Sequence, residues 1–269
     1  LSCPAALEDF IFRHRRLFIL TGAGCSTNSG IPDYRDRDGN WKRTPPVTYQ
    51  DFIGHQTTRQ RYWARSLIGW QRFGRAQPNP AHLALARLEA IGRVEMLLTQ
   101  NVDRLHQSAG SANVIDLHGR LDLVRCMGCD NRLARDQFQT DLVRLNPGWS
   151  DIPASDAPDG DADLVNTDCT AFQVPVCPDC GGTLKPDVVF FGENVPKDRV
   201  ETAIAHLRQT DAMLVVGSSL MIFSGFRFVR MAAQAGISVA AVNLGRTRAD
   251  DMLSLKIERS CDEALAFLL

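Results

Sequence analysis

The sequence predicts an α/β protein: a parallel sheet with helices on both faces, carrying a smaller metal-binding module. Three observations predict it. Short β-branched runs alternate with helical stretches along the chain. A Gly-x-Gly turn follows the first of them, in "LFILTGAG" from Leu17 to Gly24. Two C-x-x-C pairs, "CMGC" and "CPDC", occur between Cys126 and Cys180.

The strands come first. "LFIL" (Leu17–Leu20), "VEMLLT" (Val94–Thr99) and "NVIDLH" (Asn113–His118) read as buried strands, as do "DVVFF" (Asp187–Phe191), "AMLVVG" (Ala212–Gly217) and "SVAAVNLG" (Ser238–Gly245). Runs without polar alternation suit a sheet covered on both sides. "PKDRVETAIAHLRQT" reads as a helix with Pro196 near its start. "SGFRFVRMAAQAG" reads as another, closed by Gly236, and "CDEALAFLL" as a final helix with Asp262 and Glu263 in its first turn. "SDIPASDAPDGDADLVNTD" (Ser150–Asp168) has the composition of a mobile loop.

Length and charge narrow the partners. A chain of 269 residues, 44% apolar and 23% charged, suits one large domain with a smaller insert. A net charge of −1 offers nothing to nucleic acid or an anionic membrane. No Lys or Arg occurs from Asn146 to Leu184, so the second knuckle lacks the footprint that phosphate binding needs. No apolar run approaches the length of a membrane span. The chain opens without Met, so a processed or trimmed start is expected.

Four of the eight cysteines fall into the two knuckles. Cys126 with Cys129 and Cys177 with Cys180 would supply four thiolates to one zinc ion. Four thiolates leave no open position, so the metal is expected to be structural. Gly128, Gly181 and Gly182 suit the turns around the sulfurs. Cys3, Cys25, Cys169 and Cys261 are expected to stay unpaired.

The Gly-x-Gly turn looks like a dinucleotide site, but Thr27 occupies the place of the third glycine. "TQNVDRLH" (Thr99–His106) follows the second strand and "DLHG" (Asp116–Gly119) ends the third. Ligands bind outside the carboxyl ends of such strands. Gln100, Asn101, Asp103 and His118 are therefore expected around one end of a dinucleotide. His118 is followed by Gly119, which is expected to leave its ring open to a ligand. His14, His55, His82 and His206 read as ordinary structural residues, and His106 is ambiguous.

"GAGCSTNSGIPDYRD", "TQNVDRLH", "DLHG", the paired C-x-x-C motifs, "VVFFGE", "VVGSSL" and "VNLG" together resemble the sirtuins. The resemblance covers almost the whole chain and is strongest to the class II mitochondrial branch. It implies a Rossmann-like large domain of residues 1–43, 75–119 and 186–269. The small domain would combine a helical insertion, 44–74, with the zinc module, 120–185. It implies consumption of NAD in lysine deacylation, with lipoyl, biotinyl or acidic acyl groups as candidates. Protein mono-ADP-ribosylation at the same site is the alternative activity. The implied partners are acylated-lysine proteins, acted on by a monomer in the mitochondrial matrix.

The resemblance also distributes roles. Gly22, Ala23 and Gly24 would bring backbone amides to the pyrophosphate at a helix N-terminus. Ser26 and Arg35 would add polar contacts, with Asp33, Tyr34 and Arg35 on a lid that closes over the nicotinamide ribose. Asp103 would hold the carboxamide, Asn101 and Gln100 ribose hydroxyls or a water, and His118 would act as general base. Gly217, Ser218, Ser219, Asn243, Gly245 and Cys261 match positions at the adenosine end. Phe190, Gly192 and Glu193 would pair with the peptide. Tyr62 and Arg65, three apart on one helix face, would read an acidic acyl group. Cys25 replaces the family's usual aliphatic residue, and "MIFSGF" lacks its usual proline.

Overall fold

The computed structural model describes residues 3–164 and 167–269, leaving Val165 and Asn166 of the acidic segment, with Leu1 and Ser2, outside the described residues. The Cys3 side chain is also outside them. The chain forms two units. Unit 1 comprises the segment ending at Thr44 together with Gln77–Leu117 and Val195–Leu269. Unit 2 comprises Pro45–Ala76 and His118–Asn194, so residues 186–194 group with unit 2 and not with the sheet domain.

Unit 1 is built on a six-stranded sheet. Its order is Leu255–Ile257, Ser238–Val242, Ala212–Val216, Leu17–Thr21, Val94–Thr99 and Val114–Asp116. All five pairings are parallel. Alternation along the strands divides the core in two. Leu17, Ile19, Leu214, Val216, Ala240 and Val242 face one layer, with Leu7, Leu85 and Leu265 from helices Cys3–Arg13, Pro80–Ala90 and Cys261–Leu265. Phe18, Leu20, Met213, Val215, Val239 and Ala241 face the other, with Ala203 and Phe228 from helices Lys197–Leu207 and Phe223–Gln234.

Two strand expectations change. "DVVFF" does not join the parallel sheet; Leu184–Val188 pairs antiparallel with Gly119–Cys126 in unit 2. The sixth parallel strand is instead Leu255–Ile257, three residues with Lys256 at their centre.

Unit 2 contains a three-stranded sheet, ordered Arg132–Ala134, Gly119–Cys126 and Leu184–Val188. Helices Gln56–Phe73 and Arg135–Leu145 share its core, where Trp63 meets Phe138 with ring centroids 4.6 Å apart. The acidic segment is not a loose surface loop over its described residues. Ser155–Asp156 pairs with Ala162–Asp163, and Ala157 and Ala162 are buried. Gly69 lies so close that a Cβ there would sit 2.3 Å from the Gly160 carbonyl oxygen.

Candidate functional site

In unit 1 the strand Leu17–Thr21 ends in the turn Gly22–Gly24. Gly24 N–H donates to the Gly217 carbonyl across 2.8 Å. A Cβ at Gly22 would lie 2.8 Å from Ser218 Cβ, and one at Gly24 2.9 Å from the Gly217 oxygen. These glycines are therefore required by the contact between two turns. No α-helix begins here. Two short 3-10 turns, Ala23–Cys25 and Thr27–Ser29, run to Gly30 at φ 84° before Ile31 and Pro32. The expected helix N-terminus is absent: the chain leaves helical geometry at Ser26, with φ −101° and ψ 0°, and the left-handed Gly30 ends the second turn.

The strand Val94–Thr99 delivers the polar groups to the same sheet edge. Asn101 Nδ2 donates to the Gly22 carbonyl at 3.1 Å and to Ser26 Oγ at 3.0 Å. Ser26 Oγ in turn donates to Asp103 Oδ2 at 2.7 Å. The other Asp103 oxygen accepts from Leu105 N–H at 2.9 Å. Burial raises the Asp103 carboxyl above its usual range, against the pull of these donors. Gln100 Nε2 donates to Ser218 Oγ at 2.7 Å.

The segment after the glycine turn folds on itself. Arg35 donates to the Gly39 carbonyl at 2.7 Å and lies over the Trp41 ring at 3.9 Å. Asp33 pairs with Lys42, and Tyr34 meets Trp41 edge-on at 6.0 Å. At the other end, the Ser219 carbonyl accepts from Arg248 N–H, and Asn243 Nδ2 donates to the Gly245 carbonyl. Gly245 has φ 88°, and a Cβ there would lie 2.3 Å from the Arg37 carbonyl oxygen. Cys261 is buried with Sγ 3.6 Å from the Gly24 carbonyl.

His82 and His106 are more involved than their sequence context suggested. His82 completes a capping box with Asn79 on helix Pro80–Ala90. His106 is 1% exposed and meets Thr21 Oγ1 at 2.9 Å. "NPAH" carries the first signal, since a side chain at the third helical position can reach back to the cap. Nothing local announces the second.

Unit 2 holds the remaining candidates. His118 opens it, half-buried, and its carbonyl accepts from Val189 N–H at 2.7 Å. Gly119 serves the backbone: φ is 84°, and a Cβ would lie 2.2 Å from the Asp187 carbonyl oxygen. The four knuckle cysteines cluster, with Sγ atoms 3.5 Å apart for Cys126 and Cys180 and 3.7 Å for Cys129 and Cys177. Tetrahedral bonds of about 2.3 Å space sulfurs by about 3.8 Å, so the set fits one structural zinc. Gly128 N–H donates to Cys126 Sγ at 3.3 Å, and a Cβ at Gly182 would approach that sulfur to 3.0 Å.

Several expected substrate residues are engaged within unit 2. Arg65 donates to the Ala162 carbonyl at 2.7 Å and pairs with Asp161 and Asp163. Tyr62 packs against Phe52 and Phe190, each with centroids 5.3 Å away. Glu193 accepts from Phe190 N–H at 2.9 Å and pairs with Lys185, which is 3% exposed. Gly192 has φ 78° and its carbonyl accepts from Gln50.

Comparison with known proteins adds the following. The Sir2 family model matches residues 22–224. An "NAD-dependent protein deacetylase 2" of Bradyrhizobium diazoefficiens is 70% identical over 98% of this chain and 97% of its own length. An "NAD-dependent protein deacetylase" of Xanthomonas campestris pv. campestris is 68% identical over 98% of this chain and 90% of its own. The "NAD-dependent protein lipoamidase sirtuin-4, mitochondrial" of Bos taurus is 45% identical over 97% and 84%. A solved structure described as "Sir2-p53 peptide-NAD+" superposes with a TM-score of 0.77 at 31% identity, covering 98% of this chain and 95% of that one. The mitochondrial-matrix expectation is overturned: the relatives at 62–70% identity are bacterial, and bacteria have no mitochondria.

Proposed function

The chain belongs to the Sir2 family, and on that premise we propose that it is an NAD-dependent protein deacetylase. The observation that carries this reading is the hydrogen-bonded chain Asn101–Ser26–Asp103 beside the Gly22–Gly24 turn. A hydride-transfer enzyme must keep the nicotinamide bond intact. A half-buried carboxylate and a buried amide beside the glycine turn suit the opposite task.

NAD is a substrate here. Asp103, already an acceptor for Ser26, would accept from the carboxamide, and Asn101 would position a ribose hydroxyl or a water. The two packed turns, Gly22–Gly24 and Gly217–Ser219, would receive the phosphates and adenosine, with Asn243, Gly245 and Cys261. The bond between nicotinamide and ribose breaks, and the acyl oxygen of the substrate lysine takes its place. His118 would then remove a proton from the ribose 2′-hydroxyl, whose oxygen attacks the imidate carbon. An imidazole suits that step because it exchanges protons near neutral pH. The carbon–nitrogen bond breaks, the lysine leaves as the amine, and one water completes the acylated ADP-ribose.

Acetyl is the acyl group that this reading assigns. The bacterial relatives carry deacetylase in their names. Arg65, the cation expected to read an acidic acyl group, is neutralised by Asp161 and Asp163. The test is nicotinamide release with acetyl-lysine and unmodified peptides. Release that requires the acetyl-lysine peptide, and falls at least about a hundredfold in His118→Ala, supports the reading. Release indifferent to acetylation overturns it.

A further inference from the structure

Behind the Ser26–Asp103 hydrogen bond lies a second group of metal-ligating side chains. Cys25 Sγ and one ring nitrogen each from His82 and His106 lie within 4.8 Å of one another, all three residues buried. The hydrogen bonds fix the tautomer of His106 and leave that of His82 to its ligand. His82 Nδ1 lies 2.9 Å from Asn79 Oδ1 and 3.3 Å from Asn79 N, and Nε2 lies 3.4 Å from Ser26 Oγ; a cation on Nε2 selects the tautomer that donates Nδ1–H to Asn79 Oδ1. Thr21 Oγ1 donates to Thr99 Oγ1 and therefore accepts from His106 Nε2. His106 Nδ1 is then a bare lone pair. It is buried and has no hydrogen-bond partner. A buried polar atom without a partner is costly, and it needs an explanation.

We propose that Cys25, His82 and His106 form a second metal site, for Zn2+ or a similar borderline-soft cation, distinct from the four-cysteine cluster. One thiolate and two neutral imidazoles are the donor set such cations select. Burial lowers the pKa of both histidines, to about 4 for His82, so neither ring must lose a proton to bind. The Cys25 thiol must: Cys25–SH and Zn2+ give the zinc thiolate and one proton. Cys261 shares a hydrogen bond with that thiol, and Asp103 lies close enough to act on it. The second nitrogens are already held by Asn79 and Thr21, as outer partners hold the ligands of metal sites. Zinc-bound donors stand about 3.3–3.6 Å apart, so the three side chains would close in by about an ångström.

Cobalt is the probe. The zinc-loaded protein is titrated with Co2+ and followed in the visible and near-ultraviolet. We expect one further equivalent to bind with d–d bands and a thiolate-to-cobalt charge-transfer band. Cys25→Ala and Cys25→Ser should abolish the charge-transfer band and weaken cobalt binding at least tenfold. Circular dichroism and retained zinc check that both variants are folded. Absence of cobalt bands in the wild type overturns the proposal. So do bands that persist in both variants, which would place the cobalt on other thiolates.

Discussion

Ser26 Oγ donates to Asp103 Oδ2 across 2.7 Å, tying the turn after the strand Leu17–Thr21 to the loop after the strand Val94–Thr99. The two residues are 77 positions apart in sequence. The parallel pairing of the two strands, ending at Thr21 opposite Thr99, brings them to one edge.

Asp103→Asn tests what that carboxylate does. Burial raises its pKa, so the ionised form opposes folding; a neutral amide relieves that opposition but keeps an acceptor for only one of the two donors, Ser26 and Leu105 N–H. The two effects oppose each other, and we expect the melting temperature to change little. Nicotinamide release should fall by at least about tenfold, the scale of a lost hydrogen bond to a charged group. Unchanged turnover with a lowered melting temperature would assign Asp103 a purely structural role.

The glycine turn shows what the sequence made legible and what it did not. "LFILTGAG" marks a strand and a tight turn, and both are present. The reason for the glycines was hidden, because Gly217 and Ser218 approach from a turn about 190 residues away. Likewise "DVVFF" reads as buried strand, but a β-branched run does not say which sheet it joins. Leu255–Ile257 was missed because three residues with a central lysine carry no periodicity. Asp and Pro made Ser150–Asp168 look unstructured. The contacts that order its described residues come from Arg65 and Gly69, far off in sequence.

The buried histidines make a prediction about pH. Burial lowers both pKa values from the ordinary 6.5, to about 4 for His82. The unfolded chain therefore binds protons that the native state refuses. Stability from this source is complete above 6.5 and is lost as pH falls toward 4. Imidazole nitrogen NMR should show both rings neutral at about pH 5.5, where a free histidine is mostly charged. A ring that titrates at the ordinary value would contradict the buried, neutral assignment.

For the cysteine cluster, Cys126→Ala or Cys180→Ala should release the structural zinc and destabilise unit 2, because metal binding and folding are coupled. Metal analysis and urea unfolding check this. Variants that keep one equivalent of zinc in the cluster and full stability would rule out the four-thiolate site.

The most direct measurement of the central claim is mass spectrometry of the products formed from NAD and an acetyl-lysine peptide. The account predicts equimolar nicotinamide, deacetylated peptide and an ADP-ribose that carries the acetyl group. An ADP-ribose adduct on protein or peptide with the acetyl group still on lysine would contradict it, as would free acetate released without consumption of NAD.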